Sequence, residues 1–557
     1  MNLGRKFASV RGAMLMLAMA VFSTGCGRTS SSSESGHPAS GAAESPVSRA
    51  PRLTADVNVL TYHHNNARTG EYLSEAQLTP ANVNSNTFGK IGFLRVRGLV
   101  DAQPLYVASL VFRGAAHRVV FVATEHDLVY AFEADTFSQL WRTSVLGAGE
   151  TTSDNRGCQQ VTPEIGVTST PVIDLKQGPN GAIYVVAMSK DRQGRYFQRL
   201  HALDLATGSE LPGSPRTITG TSPGTRSGST NGQATFDPKQ YEDRAALLLS
   251  NGVIYTTWSS HCDTEPYGSW LIAYDASTLQ QAAALDLTPN GTQGAIWMTG
   301  DGPAADDAGN IYLLTGNGTF DTSLDSKGFP SQHDFGNAFV KLSMRGNRLS
   351  VADYFTMHNT VEESERDEDL GSGGIVLLPD MKDASGKVRH LAVGAGKDRT
   401  IYVVDRDSMG KFDANGDHVY QEVTAAIAGM QFATPAYFNG VLYFGAFDDA
   451  VRALPFANGM IQRATASQTK IKFVDPGTTP SVSANGTENA IVWAVENSIP
   501  AALYAYRASD LKVELYNSNQ AGTRDQFVNN KFIAPVIAEG RVYVGTPTGV
   551  AVFGLLK

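Results

Sequence analysis

Lys397 stands in the turn of "HLAVGAGKDRTIYVVDRDSMGKF" (His390 to Phe412), between two runs rich in Val, Leu, Ile and Tyr. Such a stretch reads as strand, tight glycine turn and strand. A cation at that rim is either a solvated turn residue or a group facing a ligand. Two other clusters contain metal-ligating types. His261 and Cys262 are adjacent but have no partners at metal-site spacing, which favours a structural histidine and a disulfide. Asp413, Asn415 and Asp417 alternate as at the start of a calcium loop, but Gly416 is misplaced and no closing Glu follows. A hairpin connection with polar turn residues accounts for them. No CxxCH is present for haem attachment and no CxxC for zinc.

The elements that must position these groups are repeats. One unit recurs: an apolar strand, a turn, an alternating strand and a further strand ending near Asp, Thr or Gly. Copies begin at Val119, Ala182, Val253, Asn310, His390, Val441, Ile491 and Arg541. Eight copies at this spacing imply radial four-stranded antiparallel blades, an all-β eight-bladed β-propeller. Pro104, Pro171, Pro435, Pro480 and Pro535 stand ahead of several copies, where a proline suits the first residue of an innermost strand. The final copy stops at Lys557 without its outer strand, and "FGKIGFLRVRG" (Phe88 to Gly98) is a spare one. We therefore expect this N-terminal strand to complete the last blade and close the ring.

The 557 residues carry a net charge of -9 and 55 glycines, and no basic stripe, which argues against a nucleic-acid partner. Arg5, Lys6 and Arg11 precede the short apolar run Gly12 to Phe22, the pattern of an export signal. "STGC", ending at Cys26, resembles the lipobox of bacterial lipoproteins, with Ser23 where that motif usually has Leu. The resemblance implies residues 1–26 as leader, Cys26 as the lipidated anchor in membrane lipid, and a protein facing the periplasm or exterior. A plain secretory cleavage site is the alternative. Residues 27–55 are Ser/Gly/Pro-rich and read as a flexible tether, leaving 56–557 for the propeller. Cys158 and Cys262 then remain as a pair able to form one disulfide in an oxidising compartment.

"LHALDLATG" and "LIAYDAST" resemble the repeat of pyrroloquinoline quinone (PQQ) propellers. Three longer stretches resemble segments of PQQ-dependent alcohol dehydrogenases, in the same order: Leu60 to Val83, Gly294 to Phe320, and "DEDLGSGG" through "GAGKDRTIYVVD". Uncharacterised exported PQQ-repeat proteins are similar too. By this resemblance Trp297 matches the tryptophan on which the quinone stacks, and Lys397 the lysine contacting the quinone oxygens. Asn317, in "TGNGTF", matches a calcium-ligating amide. Asp369 is placed as catalytic base, with Asp367 and Glu368 beside it and the family's tryptophan missing from this turn. The calcium-binding glutamate is assigned to Glu265, with Asp263 and Glu164 as alternatives that do not align either. The family's vicinal disulfide cannot exist here.

The resemblance implies a dehydrogenase using PQQ and calcium to oxidise an alcohol or sugar, with an external electron acceptor. The other reading is a non-catalytic, membrane-anchored propeller scaffold, or a binding protein served by the long Gly/Ser/Thr-rich stretch Ile218 to Arg244.

Overall fold

Short runs of β-branched and aromatic residues, punctuated by glycine turns, pair into antiparallel ladders across the whole described chain. The computed structural model of the protein describes residues 57–462 and 467–557. The leader, the tether and Cys26 lie outside the described residues.

Eight sheets of the expected type form the blades of a propeller. Their innermost strands are Leu105–Phe112, Val172–Asp174, Leu248–Ser250, Ala304–Ala305, Ile375–Leu377, Ala436–Phe438, Ser481–Asn485 and Val536–Ala538, in blades 1 to 8. Pro104, Pro171, Pro435, Pro480 and Pro535 each sit one residue before such a strand, where no ladder bond is lost. Phe88–Arg95 completes blade 8, antiparallel to Gly549–Leu555, with Phe88 opposite Leu555. Phe88 is fully buried among the rings of Trp493, Tyr516 and Phe553. Closure in this way leaves the ring without a free seam.

The start of the Leu60 to Val83 segment belongs to no blade. From Val59 to Tyr72 it circles the channel and bonds to each blade in turn. Val59 pairs with Tyr106 of blade 1, and Leu60 accepts from Ile173 N of blade 2. Asn66 donates to Leu249 O of blade 3 and accepts from Ala305 N of blade 4. Ala67, Thr69 and Gly70 accept from Leu377, Tyr437 and Val482 of blades 5, 6 and 7. Tyr72 accepts from Glu539 N, just past the inner strand of blade 8. Backbone groups at a channel wall must find partners somewhere, and this girdle supplies them.

Arg68 locks the girdle. Its guanidinium is wholly buried and donates to Pro303 O at 2.9 Å, Tyr62 O at 2.9 Å, Thr61 Oγ1 at 2.8 Å and Leu247 O at 3.3 Å. Tyr62 packs with Ala246 and Ala534 and reaches Thr434 Oγ1 at 3.3 Å, filling the channel at this end. In four-stranded antiparallel blades, the turns between second and third strands emerge at the same rim as the connectors between blades. That rim is the other end of the channel, and it carries the site.

Candidate functional site

Lys397 lies in the turn joining Leu391–Ala395 to Ile401–Asp405 of blade 5. Its backbone N–H donates to Asp369 O at 2.9 Å. The close approach requires Gly396: a Cβ there would stand 2.2 Å from Asp369 O. The Lys397 ammonium reaches Asp369 Oδ1 at 2.8 Å and Asp367 Oδ1 at 2.5 Å. Asp369 is 2% exposed, whereas the Asp367 side chain is 72% exposed, so the first is a buried ionisable group and the second a surface one. Burial raises the Asp369 carboxyl above its ordinary range, although Lys397 pulls it back. Burial alone would lower the Lys397 ammonium, but the two carboxylates outweigh it and raise it.

Asn317 stands just beyond Ile311–Leu314 of blade 4 and donates from Nδ2 to Asp367 Oδ1 at 2.5 Å. Its amide oxygen is buried and has no hydrogen-bond partner. Asp369 Oδ1, by contrast, is engaged by the Lys397 ammonium. Trp297, half-buried, precedes a strained turn. Met298, Thr299 and Gly300 have φ of 40°, 51° and 86°. For a β-branched residue such as Thr299 this is a true outlier, costing about 1–3 kcal/mol. It is held by its hydroxyl donating to Ser372 O.

These side chains come from different blades yet border one cavity of about 680 Å³: Trp297, Asn317, Asp369 and Lys397, with Asp367 and Arg244. Glu265 does not border it. Its exposed carboxylate accepts from Gln293 Nε2 at 2.6 Å, and it is Gln293 that faces the cavity. Asp263 lines the cavity but accepts from Ser260 Oγ at 3.0 Å and Tyr267 Oη at 3.1 Å. Glu164 is bound to His126 Nδ1 at 2.7 Å and Thr152 Oγ1 at 2.7 Å, away from the cavity lining. Asp413 and Asp417 form no cage; they bond to His418 at 2.8 Å and His358 at 3.0 Å in a polar connection.

Cys158 and Cys262 are joined by a disulfide, Cα to Cα 5.9 Å, tying the connector after blade 1 to a turn of blade 3 at the cavity rim. His261 has partners that its sequence neighbourhood does not disclose. Its Nδ1 lies 2.8 Å from Glu242 Oε1, and with Cys158 Sγ the three donors fall within 4.8 Å of one another. The sulfur is already engaged in the disulfide.

Arg244 is the functional side chain that sequence reasoning missed. It sits in "YEDRAALLL", directly ahead of the inner strand of blade 3. The signal available was a charged triplet at a blade's channel end, where Glu242, Asp243 and Arg244 are all buried. The Arg244 guanidinium rests 4.4 Å from the Phe532 ring centroid and 6.0 Å from that of Trp297.

The cavity lining suits a planar redox group and a hard cation in kind. Trp297 offers a half-buried π face, and Asn317 Oδ1 is a buried oxygen without a hydrogen-bond partner, of the chemistry calcium takes.

No family model matches the sequence, and no curated protein is similar to it at a significant level. Solved structures are similar in fold. Quinohemoprotein alcohol dehydrogenase from Comamonas testosteroni aligns over 90% of this chain and 81% of its own, with a TM-score of 0.59 and 16% identity. A quinohemoprotein alcohol dehydrogenase from Pseudomonas putida HK5 aligns over 90% and 80%, at 0.56 and 13%. A europium-containing methanol dehydrogenase aligns over 89% and 98%, at 0.55 and 13%.

Proposed function

We propose that the protein is an exported quinoprotein dehydrogenase that oxidises an alcohol or sugar with PQQ and calcium in the rim cavity and passes electrons to an external acceptor. The observation that carries the reading is the convergence of Trp297, Asn317, Asp369 and Lys397, far apart in sequence, on one cavity where the buried Asn317 amide oxygen has no hydrogen-bond partner. The three solved structures named above, described as quinohemoprotein alcohol dehydrogenases and a europium-containing methanol dehydrogenase, support it. In the same reading the leader exports the chain, and Cys26 anchors it in membrane lipid.

Trp297 would carry the quinone on its exposed face, and Asn317 would give its amide oxygen to calcium. When bound, the quinone supplies a two-electron acceptor and calcium a Lewis acid. The protein's own residues do the rest. Asp369, buried and with a raised affinity for protons, takes the substrate hydroxyl proton. Lys397 holds that carboxylate in place from 2.8 Å and brings positive charge to the oxygen side of the cavity. The girdle closes the channel behind them, so substrate enters from the rim alone.

One observation favours the alternative, a propeller that binds or scaffolds without catalysis. Glu265, the carboxylate expected to bind calcium, does not border the cavity and is held by Gln293 instead. Titration of the purified protein with PQQ and calcium separates the two. Saturable quenching of the protein's tryptophan fluorescence and dye-linked oxidation of an alcohol or sugar are expected. Trp297→Ala and Lys397→Ala should each abolish the quenching. No uptake at high quinone and calcium would establish the scaffold reading.

A further inference from the structure

Arg244 is 8% exposed, yet none of its side-chain N–H groups donates to a protein acceptor among the described residues. Its nearest acids, Glu242, Asp101 and Glu125, act on it only at a distance. A guanidinium on so largely buried a side chain is usually satisfied by a carboxylate or by carbonyl oxygens. Arg68 in the same channel shows the ordinary solution, with four different acceptors. Arg244 instead turns its fork of donors into space shared by two chambers.

The first chamber is the cavity of Trp297 and Lys397. The second, of about 210 Å³, lies beside it and is lined by Thr162, Thr168 and Asn530, with Gln159, Gln160, Arg244, Lys531 and Phe532 common to both. That volume falls below the roughly 300 Å³ at which pockets for drug-sized ligands begin, so the side chamber holds a group of a few carbons. Its polar lining is neutral apart from Arg244, Lys531 and Asp101. Lys531 is drawn outward by Asp475 at 2.6 Å, and Asp101 accepts from Asn530 Nδ2 at 2.8 Å. Phe532 holds the guanidinium plane from one side, and its own backbone is kept in the left-handed region at φ 60° to do so.

We infer that Arg244 is a carboxylate receptor, and that the anion it receives belongs to the substrate, a short hydroxy acid whose carboxylate sits in the side chamber while its hydroxyl reaches toward Asp369. The substrate assignment, though not the receptor itself, rests on the dehydrogenase reading. A planar fork matches a carboxylate in two parallel hydrogen bonds. The quinone also carries carboxylates, and the test must tell the two sources apart.

The test is calorimetric titration of the full protein, free of quinone, with D-glycerate and with glycerol, which differ in one carboxylate. Glycerate should bind at least ten-fold more tightly. Arg244→Met should lose that ten-fold while binding glycerol as before, and Arg244→Lys should recover part of it. Glycerate should also protect Arg244 of the wild-type protein from phenylglyoxal, read by peptide mass, which needs no variant to fold. Equal affinity for glycerate and glycerol, or no protection, would overturn the inference. Quinone titration of Arg244→Met should stay within three-fold of wild type. A ten-fold loss of quinone binding in a protein that does not bind glycerate would hand Arg244 to the cofactor and overturn the substrate assignment. Glycerate binding by a protein that takes no quinone would sink the dehydrogenase reading and leave the receptor standing.

Discussion

The Lys397 ammonium lies 2.8 Å from the buried Asp369 carboxylate, across the gap between a turn of blade 5 and the connector that precedes that blade. The pair has a measurable consequence whether or not a cofactor binds. Removing the cation leaves a buried carboxylate without its counter-charge, a change worth about 3–5 kcal/mol for a fully buried pair. Lys397 is 17% exposed and also touches Asp367, so Lys397→Met should cost somewhat less, about 2–3 kcal/mol. Adding Asp369→Asn should return much of the loss. Urea unfolding of the two single variants and the double variant measures the coupling; additive costs would show that the two groups do not interact.

Asp243 makes stability depend on pH. It is 5% exposed, Ser169 Oγ donates to it at 2.6 Å, and burial raises its carboxyl to about 8. In the unfolded chain an aspartate titrates near about 3.9. The folded state therefore holds a proton that the unfolded state has released. The contribution is fully present below about pH 4 and is lost as pH rises toward 8, at up to about 1.4 kcal/mol per pH unit. Asp243→Asn carries no titrating proton, so the stability of wild type relative to this variant should fall across pH 4 to 8. A flat difference across that range would refute the burial argument.

Much of the architecture was legible because it rests on periodicity. Eight strand–turn–strand copies are eight blades, the prolines mark inner-strand starts, and Phe88–Arg95 pairs with the last strand as its position at the chain's other end suggested. The site was legible only where a side chain lies inside a matched turn, as Lys397, Asn317 and Trp297 do. Arg244 and the His261–Glu242 contact were not, since each depends on which connectors meet across the channel, and no local spacing encodes that. The girdle escaped for a related reason. Its bonds are mostly single backbone contacts to successive blades, so "YHHNNARTGEY" has neither a helical nor a strand period.

Cys158 and Cys262 are 104 residues apart, so their bond closes a long loop. In the chain-entropy model such a loop restrains the unfolded state by about 4–5 kcal/mol. Cys262→Ser should lower stability by about 2–5 kcal/mol in the absence of reductant. Wild type under reductant should approach the variant. Peptide mass analysis of the unreduced protein should recover the two cysteines in one linked species, and two free thiols would refute the pairing.

The girdle should behave as part of the core, and Arg68 tests it. Arg68→Met keeps most of the side-chain volume but removes every donor. Pro303 O, Leu247 O and Tyr62 O lose their partner in a buried setting, and Asp301, 3.8 Å away, loses its nearest cation. Each orphaned buried acceptor costs about 1–3 kcal/mol, so the total should exceed about 3 kcal/mol. Burial already raises the Asp301 carboxyl to about 7, against the pull of Arg68. Without the guanidinium the carboxyl should hold its proton more tightly still. The variant should thus lose more stability at pH 8 than at pH 5, because by pH 8 the wild-type carboxyl has ionised beside Arg68 while the variant must still hold a proton that the unfolded chain releases. Thermal melting at both values measures this; an equal loss at the two would mean that Arg68 acts through its hydrogen bonds alone and not through Asp301.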